Sequence, residues 1–228
     1  MTVRGRQALD LGLYLVTDRA LCLGRPLVDV VARAVAGGVR VVQLREKHAP
    51  TREFVELGRA LLALLAPLGV PLIINDRLDV ALAIGAQGAH LGQSDMPVAE
   101  ARRLLGPQAI LGLSVETLDQ LREAEGLPPG LVDYYGLSPI FQTPTKTDAG
   151  PGWGLARLGQ ARATVDAGSG RPLVAIGGIG AENAASVLRC GAHGLAVVSA
   201  ICSAPDPEAA SRALLDVLRR ERGGAGEP

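Results

Sequence analysis

A short segment near the start of the chain alternates an amide with two cations. Gln43, Arg45 and Lys47 stand at every second position at the end of an apolar run. Successive side chains of a strand point to opposite faces, so these three would share one face if the strand continues. An amide, a planar guanidinium and a compact ammonium on one face suit a phosphorylated ligand. A solvated cluster of surface charges is the alternative interpretation.

Two aspartates that follow later apolar runs could hold a metal ion. Asp76 follows Asn75 at the end of one run, and Asp95 stands four residues after Leu91, which ends another. Mg²⁺ takes one or two protein carboxylates and completes its shell with water and substrate phosphates. Each aspartate could instead cap the helix that follows it. Taken together with the nearby cations, the pair favours a metal site.

Two glycine- or serine-containing turns and one long connection could also surround a ligand. Gly177-Gly178-Ile179-Gly180 follows one apolar run, and Val198-Ser199 ends the next. Backbone N–H groups at such turns bind phosphate. Segment 139–153 is long for a strand-to-helix connection and could close over a substrate. It contains Lys146, which with Lys47 makes up the two lysines among 23 basic residues. Ordinary tight turns and a plain surface loop are the alternatives.

The apolar pattern predicts the elements that must position these residues. Eight short runs are near-continuous in apolar residues, as in strands buried on both faces. They cover 11–16, 39–44, 70–74, 89–91, 110–113, 132–137, 172–176 and 194–198. Amphipathic helical segments lie between and after them at 27–36, 52–66, 79–84, 98–105, 118–124, 155–165, 181–188 and 207–220.

This alternation predicts βαβ units and a parallel sheet. Eight such units in 228 residues predict a single (β/α)8 barrel over residues 1–228, with a frayed tail at 223–228. An open doubly wound sheet is the alternative. In a (β/α)8 barrel the active site forms at the carboxyl ends of the strands, and the polar residues above all follow predicted strands.

Composition excludes several classes of protein. A hydrophobic content of 48% and a charged content of 20% allow a sizeable core. The net charge is zero and aromatic residues make up only 3%, which argues against a nucleic-acid partner. The most apolar run, 61–74, is too short and too interrupted by proline for a membrane span. Three cysteines without a CxxC motif and a polar amino terminus predict a cytoplasmic, reducing setting.

Taken in chain order, these segments resemble the thiamine-phosphate synthase family. The matching runs span about residues 11–200, and the Gln-x-Arg-x-Lys, Asn-Asp-Arg and Thr-x-Thr-Lys runs are specific to the family, whereas the glycine turn is not. These runs are 14–18, 42–47, 74–77, 90–93 with Asp95, Thr143 with Thr145 and Lys146, 177–179 and 198–199. Ser138 stands where members often have glycine, and segment 115–117 lacks the histidine often found there.

The resemblance implies a transferase of thiamine biosynthesis. It would join 4-amino-2-methyl-5-(diphosphomethyl)pyrimidine to a thiazole phosphate, releasing thiamine phosphate and diphosphate, with Mg²⁺ held by Asp76 and Asp95. The pyrimidine diphosphate would contact Gln43, Arg45, Lys47, Asn75, Ser114, Lys146 and Gly178. The thiazole phosphate would contact Thr143, Thr145, Val198 and Ser199. Catalysis would rest on Arg45, Lys47, Ser114 and Lys146.

Two other functions stay open at this point. A related thiazole tautomerase resembles the synthase but usually lacks the full diphosphate and metal set. A regulator that binds a thiazole or thiamine phosphate would need the phosphate turns but not the two carboxylates. The presence of Lys47, Asp76, Asp95 and Lys146 favours the synthase. The expected partners are small molecules, with no nucleic acid and no membrane, and the chain could form a homo-oligomer.

Overall fold

Eight parallel strands close into a barrel, and each pairs with its neighbours in chain order. The computed structural model describes residues 9–142 and 152–223. Pairing of Leu15 with Val197 joins the last strand to the first. The strands are β1 Leu13–Val16, β2 Val41–Leu44, β3 Leu72–Asn75, β4 Gly88–Leu91, β5 Ile110–Val115, β6 Tyr134–Leu137, β7 Leu173–Ile176 and β8 Gly194–Val197. The predicted (β/α)8 barrel is confirmed, and the open doubly wound sheet is wrong.

Helices surround the barrel, and each predicted helix is found. They are α1 Leu27–Ala36, α2 Thr51–Leu65, α3 Leu78–Ile84, α4 Val98–Leu105, α5 Leu118–Glu125, α6 Gly154–Ala167, α7 Ala184–Arg189, α8 Ser199–Cys202 and α9 Pro207–Gly223. The short α8 is an addition that the apolar pattern did not predict. Pro26, Pro50 and Pro97 directly precede α1, α2 and α4. Proline suits a helix start because its fixed φ is close to helical and its missing N–H is not needed there.

Most strands begin one or two residues inside their predicted apolar runs. Leu11, for example, precedes β1 but packs into the barrel interior against Tyr14. It is apolar because it is buried, although it lies outside the strand. The frayed tail lies outside the described residues except for Gly223, which is the last residue of α9.

The core has two layers because every strand is covered on both faces. Outward-facing strand residues pack against the helices in one large cluster, which includes Leu13, Leu44 and Phe54. Inward-facing residues form a smaller cluster around Tyr14 and Tyr134. Burial on both faces explains why the strands are near-continuous in apolar residues. None of the helices described is both long and apolar enough to cross a membrane.

Candidate active site

One cavity opens at the carboxyl ends of the strands and collects most of the predicted site residues. Its volume is about 390 Å³. The predicted residues that line it are Gln43, Arg45, Lys47, Asn75, Asp76, Asp95, Ser114, Gly178, Val198 and Ser199. They come from β2, β3, β5 and the segments after β2, β3, β4, β7 and β8. Thr143, Thr145 and Lys146 lie outside the described residues.

The side chains at the end of β2 and just after it lie in two different environments. Gln43, Arg45 and Lys47 line the cavity, as the spacing predicts. Glu46, between the two cations, turns away and pairs with Arg19 at 2.8 Å. The Arg45 backbone N–H donates to the Thr17 hydroxyl at 3.1 Å, which ties this segment to the end of β1. Both cations thus face the cavity, where Arg45 is partly buried and Lys47 is exposed.

Asp76 and Asp95 approach each other on the neighbouring side of the cavity. Burial first, and then the hydrogen bond and negative charge of Asp95, raise the pKa of Asp76 to about 6. Lys47 and Arg45 act in the opposite direction, so the cations and the carboxylates share one electrostatic environment. Asp76 also has a φ of 62°, a left-handed conformation that aspartate adopts more readily than most residues. Such strain is typical of functional sites.

Neither aspartate caps the helix that follows it. The N-cap residues of α3 and α4 are Arg77 and Pro97, and neither of their side chains makes a capping hydrogen bond. Asp95 Oδ2 instead accepts a hydrogen bond from the Gly92 N–H at 2.6 Å, which fixes the turn after β4. The capping alternative is therefore wrong at both positions.

The carboxylate pair fits a hard divalent cation. Two adjacent carboxylates in a partly buried site repel each other, and a cation between them would relieve that repulsion. Within 9–142 and 152–223, no group of three or more His, Cys, Asp or Glu side chains could hold a metal ion by itself. An ion at this pair would thus need oxygen ligands from water and from a substrate, which is the usual situation for Mg²⁺.

A hydrogen-bonded chain crosses the barrel beneath the cavity, and we call it the floor chain. Gln43 Nε2 donates to the Tyr14 hydroxyl at 2.8 Å, which lies 2.8 Å from the Tyr134 hydroxyl. Tyr134 reaches His90 Nδ1 at 2.9 Å, and His90 Nε2 lies 2.8 Å from Ser114 Oγ. Burial lowers the pKa of His90 to about 4, so its ring is neutral at pH 7. Nothing in the sequence pattern predicted that the two tyrosines would join this chain.

Two strand glycines leave the space that the floor chain occupies. A Cβ at Gly112 would lie 2.3 Å from His90 Nδ1 and 2.3 Å from Tyr134 Cζ. A Cβ at Gly136 would lie 2.9 Å from His90 Cε1. Glycine weakens a strand and often marks a position where another group comes close to the backbone. Gly112 and Gly136 were therefore the signal in the sequence that could have indicated the floor chain.

The Gly112→Ala protein is expected to lose about 1–3 kcal/mol of unfolding free energy, because the added methyl group overpacks the ring of Tyr134 and the His90 imidazole. Urea unfolding measures the change. Gly159→Ala is the matched control, since a Cβ there would meet nothing closer than 4.0 Å. Gly159 lies in α6, where alanine is favoured by about 1 kcal/mol. Equal stabilities for the two variants would contradict the packing argument.

The glycine turn after β7 is joined to the start of the long connection. Gly177 and Gly178 have positive φ values of 106° and 63°. The Ile140 N–H donates to the Ile176 carbonyl at 2.8 Å, and the Phe141 N–H donates to the Gly177 carbonyl at 3.1 Å. The turn is therefore packed against the segment that leads into residues 143–151.

Asn183 and Trp153 support this region, and neither is among the predicted site residues. Asn183 accepts a hydrogen bond from the Gly180 N–H at 3.0 Å and donates one to the Gly178 carbonyl at 2.8 Å, which orders the turn. Trp153 is buried and donates its indole N–H to the Val115 carbonyl at 3.2 Å. It therefore anchors the end of the long connection.

Comparison with known proteins identifies the family. The family described as thiamine monophosphate synthase matches residues 13–201. A thiamine-phosphate synthase of Albidiferax ferrireducens is 58% identical, over 91% of this chain and 93% of that protein. One from Vibrio parahaemolyticus is 53% identical, over 90% of this chain and 97% of that protein. The solved thiamine phosphate pyrophosphorylase of Pyrococcus furiosus superposes with a TM-score of 0.82 at 38% identity, covering 93% of this chain and 98% of that one. The chain belongs to the thiamine monophosphate synthase family and is an enzyme, a transferase of thiamine biosynthesis.

Proposed function

We propose that this enzyme joins an aminopyrimidine diphosphate to a thiazole phosphate, giving thiamine phosphate and diphosphate. The observation that carries the proposal is the meeting of Arg45 and Lys47 with Asp76 and Asp95 in one cavity at the carboxyl ends of the strands. Two cations beside a carboxylate pair suit a diphosphate bound with Mg²⁺. The family membership supports the same reaction.

The proposed chemistry needs charge neutralisation more than a nucleophilic side chain. The bond between the methylene carbon and the diphosphate oxygen breaks, and its electron pair leaves with diphosphate. The electron-rich aminopyrimidine stabilises the positive charge that develops on the methylene carbon. The thiazole nitrogen then uses its lone pair to form the new C–N bond. Preorganised cations that stabilise the leaving group are often the largest contribution to such a rate.

Each predicted site residue has a role in this scheme. Arg45 and Lys47, with Lys146 from the sequence, would neutralise the departing diphosphate, and Ser114 would orient the pyrimidine diphosphate together with Gln43, Asn75 and Gly178. Asp76 and Asp95 would hold Mg²⁺, which when bound supplies further positive charge to the diphosphate oxygens. Contacts to the thiazole phosphate would come from Thr143, Thr145, Val198 and Ser199. The segment with Lys146 would keep water away from the reactive carbon.

Affinity for Mg²⁺ is expected to fall as the pH drops below about 6. The raised pKa of Asp76 means that the carboxylate pair takes up a proton near that pH. Above it both carboxylates are charged and ready to bind, whereas below it the metal must displace a proton. The apparent dissociation constant should then rise by up to about tenfold per pH unit. Calorimetric titration with MgCl₂ from about pH 5 to about pH 8 measures this. If the affinity for Mg²⁺ does not change over that range, the interpretation that the carboxylate pair takes up a proton near pH 6 is wrong.

A direct assay tests the proposed function. The purified protein is mixed with both substrates and Mg²⁺, and thiamine phosphate is measured. A tautomerase would convert the thiazole alone, and a binding regulator would turn over neither substrate. Absence of thiamine phosphate under these conditions would overturn the proposal. We also propose a cytoplasmic location.

A further inference from the structure

The bonds of the floor chain can run in only two directions. A tyrosine hydroxyl and a neutral imidazole each donate one hydrogen bond. If Gln43 donates to Tyr14 and no buried hydroxyl proton is left without an acceptor, Tyr14 donates to Tyr134, and Tyr134 donates to His90 Nδ1. His90 then carries its proton on Nε2 and donates it to Ser114. The reverse direction requires the Gln43 amide to turn over and the His90 proton to sit on Nδ1.

The direction of these hydrogen bonds decides whether each end of the floor chain presents a donor or an acceptor to the cavity. Gln43 uses Nε2 for Tyr14, which leaves its carbonyl oxygen as the acceptor for the cavity. Ser114 then receives a hydrogen bond from His90, so its own O–H is left as a donor. In the reverse direction Gln43 would offer N–H groups, and Ser114 would offer a lone pair.

Two kinds of pyrimidine ring match these two directions. An aminopyrimidine brings an amino donor and ring-nitrogen acceptors, which pair with a carbonyl oxygen and a hydroxyl donor. An oxopyrimidine in its lactam form brings a carbonyl acceptor and a ring N–H donor, which is the opposite arrangement. A site whose buried polar groups fit one pattern leaves them unpaired with the other, and that mismatch is the main source of discrimination between such close analogues.

We propose that Tyr14, Tyr134 and His90 are positioning residues that fix the Gln43 amide and the Ser114 hydroxyl in the state that selects an aminopyrimidine over an oxopyrimidine. They act through Gln43 and Ser114 rather than by chemistry of their own. This inference rests on the proposed function, because it concerns the ring that the cavity receives.

The packing around the floor chain keeps its members in place. The Tyr14 and Tyr134 rings meet edge to face with centroids 6.0 Å apart, and the His90 ring lies 5.5 Å from that of Tyr134. Tyr14 and Tyr134 are almost fully buried. The backbone at Gly112 and Gly136 comes so close to these rings that a Cβ at either position would clash with them. A buried polar network of this kind specifies its geometry when every member has a partner.

Selectivity of the Tyr134→Phe enzyme tests the inference. Loss of the hydroxyl breaks the floor chain, so the Gln43 amide is free to turn over. We expect the kcat/KM preference for the aminopyrimidine diphosphate over its oxo analogue to fall by at least about tenfold, about the effect of one hydrogen bond. Most of the change should appear in KM for the amino substrate and in the inhibition constant of the oxo analogue. Unchanged preference would overturn the inference.

Tyr135→Phe is the matched control for this substitution. Tyr135 is the next residue of β6 and faces outward, where its hydroxyl donates to the Ala124 carbonyl at 3.0 Å. It is also buried, so its variant loses a comparable internal hydrogen bond. Its preference between the two pyrimidines should equal that of the wild type. An equal loss of preference in both variants would mean general destabilisation and would overturn the inference.

A measurement on the wild type keeps the inference testable if Tyr134→Phe does not fold. ¹⁵N NMR of labelled histidine distinguishes the two neutral tautomers, and the chain has three histidines to assign. We expect the His90 proton on Nε2, with and without the aminopyrimidine diphosphate; a proton on Nδ1 would overturn the inference. An inactive wild type would overturn the proposed function alone, whereas an active wild type with the wrong tautomer would overturn only this inference.

Discussion

The Asp95→Ala enzyme is expected to keep its barrel and to lose at least about 100-fold in Mg²⁺-dependent turnover. Its carboxylate is one of the two that meet in the cavity, and alanine leaves Asp76 as the remaining ligand of the pair. The Asp95 side chain also accepts the Gly92 N–H, so the turn after β4 should loosen locally. Turnover is measured over a range of Mg²⁺ concentrations, and the fold is followed by circular dichroism.

Asp119→Ala is the control for removal of an aspartate. Asp119 lies at the start of α5 in an exposed ion pair with Arg122. Exposed pairs contribute about 0–1 kcal/mol, so turnover and fold should both be unchanged. Normal turnover of the Asp95→Ala enzyme would show that the metal assignment is wrong. Loss of the fold in that variant would instead assign Asp95 a structural role.

The second large effect is expected for Lys47→Ala, which should lower kcat/KM for the pyrimidine diphosphate by about 100-fold. The ammonium lines the cavity and acts on the charge of Asp76, so it is placed to stabilise negative charge there. If that charge develops on the leaving group, kcat should fall with kcat/KM. A rise in KM with unchanged kcat would mean that Lys47 holds substrate and transition state equally.

Arg40→Ala is the control for loss of a cation. Arg40 stands just before β2, at the opposite end of the barrel from the cavity, and is half exposed beside Asp10. Its loss should leave both kinetic constants unchanged. A conservative Lys47→Arg variant should recover part of the activity, because it keeps the charge but not the compact ammonium. No recovery would indicate that the shape of the lysine side chain is required.

The barrel could be predicted from the sequence because its signal is local and repeated. Every strand is buried on both faces, so each appears as a short apolar run, and helices such as α1, α2 and α9 show amphipathic spacing. The cavity followed from one topological rule, since all carboxyl ends of a parallel barrel lie on one side. That rule was enough to bring Gln43, Arg45 and Asp76 together before any contact was known.

Other features could not be predicted because they depend on contacts across the barrel. Tyr14 and Tyr134 are 120 positions apart, and nothing local shows that their hydroxyls meet. The short helix α8 has too few residues to show a periodic pattern. The predicted roles of Thr143, Thr145 and Lys146 lie outside the described residues and stay predictions.

The polar residues inside this barrel set thermal stability against catalytic activity. Barrels of this type usually fill their centre with layers of branched aliphatic side chains. Here two tyrosines, a histidine and a glutamine lie in that space among aliphatic residues such as Val41 and Ile73. Replacing both partners of a buried hydrogen bond with apolar groups of the same shape can be nearly neutral or stabilising. A redesign of the barrel centre for thermal stability alone would therefore replace these polar residues with aliphatic ones. We expect such a protein to gain in melting temperature and to lose its catalytic activity.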